Sequence, residues 1–161
     1  MRILFLTICL TNIAFAFGSL PWMPDPMAVH FALDGRANGF AAPLEHAVMM
    51  SVTIGILTAT FLGSSCLMSR IPNELINLPN RDYWLNAENR PKTIRRVSAY
   101  LESVGNAVML FFLAVQWEVF QANQTVPPHM NSGLPLYGGG ILTVWIVVET
   151  VRVCLAFRRP A

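Results

Sequence analysis

Charge is scarce in this chain. Its 161 residues include 11 Lys and Arg and 9 Asp and Glu, 12% in all, whereas a soluble domain devotes about a quarter of its residues to these four types. The net charge of +2 leaves no broad basic face of the kind nucleic acid requires, so no nucleic-acid partner is expected. Cysteine is scarce too: Cys9, Cys66 and Cys154 all fall inside apolar runs, which leaves no pair in a loop where oxidation would favour a disulfide. CxxC, a P-loop, GxGxxG behind a strand and GxSxG are all absent. No nucleophile, base and orienting group occur together in a recognisable spacing, so neither an enzymatic activity nor a cofactor is expected.

What the chain has is length of apolar sequence: 54% of residues are hydrophobic and the mean hydropathy is +0.49. The runs predict helices over 3–20, 47–68, 92–121 and 136–157, each near or beyond the ~20 residues needed to cross ~30 Å of hydrocarbon. In lipid every backbone N–H and C=O must be paired within its own segment, which favours helices for runs of this length. The expected fold is an all-α integral membrane protein, a single domain over 1–161. It is a four-transmembrane-helix bundle with a small ordered extracytoplasmic cap between the first and second helices. Loops 21–46 and 122–135 are expected outside, and loop 69–91 inside. The first run also fits a cleaved secretory signal, because Arg2, a short apolar stretch and "AFA" at 14–16 occur in that order.

Orientation follows from the cations. Arg36 alone falls in the loops after the first and third helices, while Arg2, Arg70, Arg81, Arg90, Lys92, Arg95, Arg96, Arg158 and Arg159 fall on the opposite side and Arg152 within the last run. Positive residues in short loops stay cytoplasmic, so both ends are expected inside. In "RPKTIRRVSAYLESVGN", Pro91 suits a first turn, and Ile94, Val97, Leu101 and Val104 recur at helical intervals. This predicts a basic amphipathic foot whose Arg90, Lys92, Arg95 and Arg96 meet anionic headgroups at about 1 kcal/mol each. Before it, Pro72, Pro79 and Pro91 interrupt any long helix. Asn77, Pro79, Asn80, Asp82, Tyr83 and Trp84 form a candidate inner loop lying along the membrane.

The stretch "MPDPMAVHFALDGRANGFAAP" is the polar exception between two apolar runs. Pro21, Pro24 and Pro26 restrict the backbone, and Gly35 and Gly39 admit positive φ. "VHF" is expected to be extended and "LDGRANG" to be the turn after it. Pro21, Asp25, His30, Phe31, Asp34, Gly35, Asn38 and Gly39 make up a candidate recognition surface, with His30 orienting the cap through a hydrogen bond. His30, His46 and His129 all lie on the outer side with Asp25, Asp34, Glu45 and Glu118, so these imidazoles are the candidate metal ligands. No two of them have ligand spacing on one element, and no metal is expected.

Within the membrane, "VVETVRV" places Glu149 and Arg152 three residues apart on one helical face, where they can pair. Asn106 and Gln116 are candidates for interhelical hydrogen bonds. Gly138, Gly139 and Gly140, and separately Ser51 with Gly55, allow close helix approach. The "NQT" sequon at Asn123 is assigned no role.

The stretch "SLPWMPDPMAVHFALDGRANGF", with Leu20-Pro21, His30-Phe31, Gly35 and Asn38-Gly39-Phe40, resembles the extracytoplasmic signature of the bacterial membrane family called domain of unknown function 1648, which is related to the SdpI immunity proteins. "INLPNRDYWLNAENRPKT", "ANQTVPPHM" and the closing "FRRP" are similar to recurrent stretches of its small proteobacterial members. The resemblance implies a multi-pass protein of the bacterial inner membrane and a non-catalytic binding or signalling role of SdpI-like receptor or immunity type. The cap would be the receptor surface and the 77–93 loop the output. The alternative is a small transporter or an accessory subunit of a larger membrane complex. Expected partners are membrane lipids and either another membrane protein or a second copy of the chain.

Overall fold

The computed structural model describes residues 2–158, the side chain of Ser65 excepted. The expected resemblance at "FRRP" therefore extends to Arg159 and Pro160, which lie outside the described residues, as does the cation Arg159. In chain order the elements are α1 (Arg2–Gly18), a 3₁₀ turn (Leu20–Trp22), β1 (Met27–Phe31), β2 (Ala37–Ala41) and α2 (Pro43–Leu67). A second 3₁₀ turn (Asn73–Leu75) follows, then α3 (Arg81–Trp84), α4 (Arg90–Ala122), a π turn (Leu134–Gly138) and α5 (Gly139–Phe157).

Four helical stretches, Arg2–Trp22, Pro43–Ser64, Arg90–Ala122 and Leu134–Phe157, are long and apolar enough to cross a membrane. The protein is mostly helical but not purely so, because the cap folds as an antiparallel β1–β2 hairpin rather than as one extended segment with a turn. Pro43 occupies the first turn of α2, so this helix starts four residues before the apolar run does. Proline there gives up an N–H that has no intrahelical partner anyway.

The helices display apolar residues on every side. Leu10 is 67% exposed, Ile56 62% and Ile141 70%, without the single inward apolar stripe of a surface helix in a soluble protein. Hydroxyls on these surfaces return to their own backbone: Thr7 donates to the Ile3 carbonyl at 2.9 Å, Thr53 to Met49 at 3.0 Å, Thr60 to Ile56 at 2.9 Å and Thr143 to Gly139 at 2.8 Å. A polar side chain is thereby satisfied without water.

Helices α1, α2 and α4 pack together, whereas α5 lies mainly along α4. At the centre of the three-helix core are Phe5, Ile8, Cys9, Ile54 and Met109, with Phe61 and Leu57 against them. Gly105 makes this approach possible, since a Cβ there would lie 2.9 Å from Phe5 Cε2 and 3.0 Å from Phe61 Cγ. Where the π turn meets α5, a Cβ on Gly138 or Gly139 would lie 3.4 Å from the Phe111 ring, so both face α4, while Gly55 on α2 and Gly140 on α5 meet nothing within 4 Å. A second cluster, Met27, Val119, Ala122 and Met130, joins the C-terminal end of α4 to the cap.

Candidate functional site

The cap is built from the loop between α1 and α2 and the loop that follows α4. β1 pairs with β2 in the register Met27↔Ala41, Ala28↔Phe40, His30↔Gly39 and Phe31↔Ala37, with irregularities on either side of His30. The turn closes through Gly35 N–H on the Ala32 carbonyl at 2.9 Å and Ala32 N–H on the Arg36 carbonyl at 2.8 Å. Gly35 has φ +85°, and a Cβ on it would collide with the Met130 carbonyl and come within 2.7 Å of His129 Cε1. Gly35 therefore answers both a conformational and a spatial demand. Gly39 differs from expectation: the only glycine with positive φ among the described residues is Gly35. Gly39 is required for space, because a Cβ there would sit 2.9 Å from the Cβ of His30 across the hairpin.

Among the described residues no third strand pairs with the free edge of β1, and Asn123 takes that place. Its Oδ1 accepts from Ala28 N–H at 2.7 Å and its Nδ2 donates to the Ala28 carbonyl at 2.9 Å and to Val119 at 2.9 Å. Ala28 is fully buried and Asn123 is 6% exposed, so this one amide satisfies two backbone groups that water does not reach. Met130 N–H donates to the Gly35 carbonyl at 2.9 Å, Arg36 and His129 form a bridge, and Gln124 Nε2 donates to the Trp22 carbonyl at 3.1 Å. The segments 21–46 and 122–135 are thus one structure.

Most of the expected cap residues come together here. His30 Nδ1 is hydrogen-bonded to Asn38 Oδ1 across the hairpin, and Asp34 holds the turn by accepting from Arg36 N–H at 3.1 Å. Phe31 packs on the cluster around Met27, while Pro21 and Asp25 are exposed beside it. Leu33 is 85% exposed, Trp22 64% and Phe40 54%. A shallow apolar groove of about 230 Å³ runs between Phe31, Leu33, Met130 and Pro135.

The three histidines do not converge, and among the described residues no group of three His, Cys, Asp or Glu is placed to hold a metal ion. His129 is engaged through its backbone, donating to the Ala122 carbonyl and to Thr125 Oγ1. His46 instead lines, with Ser19 and Gln116, a cavity of about 10 Å³ beneath the cap, room for roughly one water.

Below this cavity a polar contact crosses the core. Gln116 Nε2 donates to Asn12 Oδ1 at 2.7 Å, and Asn12 Nδ2 donates to the Ile8 carbonyl at 2.9 Å and the Met109 carbonyl at 3.1 Å. Asn12 is fully buried. Asn106, the other residue expected to bond between helices, has its Oδ1 buried without a partner. Glu149 and Arg152 do pair at 2.8 Å, but Arg152 is 72% exposed and Glu149 28%. The pair lies at the edge of the bundle rather than within it.

The loop between α2 and α4 is a clamp on the end of α5. Asn80, in the left-handed region at φ 51°, donates through Nδ2 to the Arg158 carbonyl at 2.8 Å and the Phe157 carbonyl at 3.3 Å, and Trp84 Nε1 donates to Phe157 at 2.7 Å. Those carbonyls have no helical partner and need such donors. The Trp84 ring meets Phe157 and Tyr83 edge-on, so the aromatic pair packs against the end of α5. Asp82 pairs with Arg81 at 3.6 Å, Pro79 is half-buried, and Asn77 is exposed. Arg90 is likewise committed inward: it donates to the carbonyls of Ser69 at 3.2 Å and Ile71 at 2.7 Å and to Asn73 Oδ1 at 2.9 Å. It braces the loop where a headgroup contact was expected, because α4 begins at Arg90 and the chain before it folds back within reach.

Asn12, Asn73 and Asn123 were missed as structural centres. An amide inside an apolar run was a visible signal for Asn12, whereas Asn123 read only as a sequon. Comparison with protein-family models, curated proteins and solved structures gives no match to this chain.

Proposed function

We propose that the chain is a multi-pass protein of the bacterial inner membrane with both ends cytoplasmic, acting as a non-catalytic binding or signalling module whose cap is the recognition surface. The observation that carries this reading is the interlocking of two outer segments through Asn123 and Ala28, beneath the exposed side chains of Trp22, Leu33 and Phe40. Holding a short polar segment in one shape costs entropy, and a preordered surface loses less of it on binding. The resemblance of 19–40 and 76–93 to the family of domain of unknown function 1648 supports the same role. The clamp at Asn80 and Trp84 would then connect the inner loop to α5, and through it to α4.

The test uses a photo-crosslinking residue at Leu33 or Phe40 in intact cells. A discrete adduct that disappears with Asn123→Ala, at unchanged protein level, is expected. Absence of an adduct, or an adduct indifferent to Asn123→Ala, would remove the recognition role. Orientation is tested separately by cysteine placed at Arg36 or Arg81 in a chain without its native cysteines. The first should react with an impermeant reagent added outside, and the second should not. An accessory-subunit role is the alternative favoured by the π turn and α5, which together expose Leu136, Tyr137, Ile141 and Val144. A stoichiometric membrane protein copurifying in native lipid would select it.

A further inference from the structure

The foot of α4 divides its cations by job. Arg90 is consumed by two carbonyls and Asn73, but Lys92, Arg95 and Arg96 share the opposite, exposed face at intervals of three and four residues. Arg96 Cζ lies 5.7 Å from the centroid of Phe157, which brings this face against the last turn of α5 and the exposed Arg158 that follows. Among the described residues the ion pairs are Arg2–Glu102, Arg36–Asp34, Arg81–Asp82 and Arg152–Glu149, so none of Lys92, Arg95, Arg96 and Arg158 is paired with a described carboxylate. Cations at a helix C-terminus can serve its dipole. Here, however, the Phe157 and Arg158 carbonyls already take donors from Asn80 and Trp84.

The helix that ends beside these cations, α5, exposes Val147, Val148, Val151 and Leu155 along its length. A surface that is apolar and ends in clustered positive charge matches an amphiphile with an anionic head. We propose that Lys92, Arg95, Arg96 and Arg158 form a binding site for the phosphate of an anionic phospholipid, with its acyl chain along α5. Guanidinium groups suit phosphate because their planar donors bind two oxygens together. The assignment to the inner leaflet rests on the orientation proposed above. Lipid retention by purified protein does not depend on it, so the two can fail separately.

The experiment is native mass spectrometry of the full chain in neutral detergent, titrated with phosphatidylglycerol or phosphatidylcholine. Retention of phosphatidylglycerol alone, weakened by salt, is expected. The triple variant Lys92→Gln, Arg95→Gln, Arg158→Gln should bind on the order of 100-fold more weakly. Arg96 is left intact because it packs on Phe157. Lys92→Gln by itself should weaken binding about fivefold, which keeps the test open if the triple variant does not fold. Arg70→Gln, a change at an exposed inner cation outside the cluster, should leave retention unchanged. Equal retention by wild-type protein and either cluster variant would overturn the site. An equal loss in Arg70→Gln would overturn it too, showing only diffuse attraction. Displacement of the lipid by an equal concentration of inorganic phosphate would reassign the cluster to the free anion and overturn the lipid.

Discussion

Replacing Asn123 by alanine removes one side chain and strands two backbone groups. The Ala28 N–H and C=O lose partners at 2.7 and 2.9 Å, in a residue with no exposure of its own. A buried donor or acceptor left unmade costs about 1–3 kcal/mol. The cap lies at one end of the bundle and water can re-enter as it loosens, so we expect about 2–4 kcal/mol in all from the two groups. The loss should be local: the cluster around Phe5, Ile54 and Met109 is separate from the one around Met27 and Val119. Limited proteolysis from the outer side reads the open fraction of the cap when opening is fast relative to cleavage. Cleavage between 21 and 46 should accelerate between about 30-fold and several-hundred-fold, while the thermal midpoint of the helices moves little. Asn123→Asp keeps the acceptor for Ala28 N–H but turns an oxygen on the Ala28 and Val119 carbonyls, so it should open the cap as well. Cleavage of Asn123→Ala at the wild-type rate would refute the view that this amide organises the cap.

Gly35→Ala and Gly39→Ala should both loosen the cap, the first by about 1–3 kcal/mol through its positive φ and the Met130 contact. Only the second should be rescued by His30→Gly, which removes the Cβ it strikes; rescue of both would mean a shared cause. Asn12→Leu should lower stability in detergent, and Gln116→Leu should recover part of that loss by removing the stranded donor. The coupling in a double-mutant cycle is expected near 0.6 kcal/mol and below about 1.7 kcal/mol, and simple additivity would argue against the pair. Trp84→Phe keeps most of the ring packing yet deletes the donor to Phe157, so it should cost about 1 kcal/mol and speed hydrogen exchange in the last turn of α5. Unchanged exchange there would show that Trp84 does not cap the helix.

The amino-acid sequence by itself determined which segments are helical and apolar enough to span a membrane, because that depends on composition over about twenty residues and on nothing distant. It also marked Gly35 as a turn residue and placed Glu149 within reach of Arg152, since a turn and an i, i+3 spacing are local geometry. Tertiary structure decided everything that pairs across the chain. An α-helix that is apolar on all sides has no stripe to say which face turns inward, so the partnership of Asn12 with Gln116, 104 residues apart, is invisible to periodicity. Asn123 looked like a sequon until β1 was brought alongside it, and Gly39 looked conformational until His30 was seen opposite. Trp84 and Arg90 have the chemistry of interfacial residues, an amphipathic ring and a cation. The fold spends both on carbonyls and packing inside the inner loop, because unpaired backbone groups at the ends of α2 and α5 needed donors and these were the ones within reach.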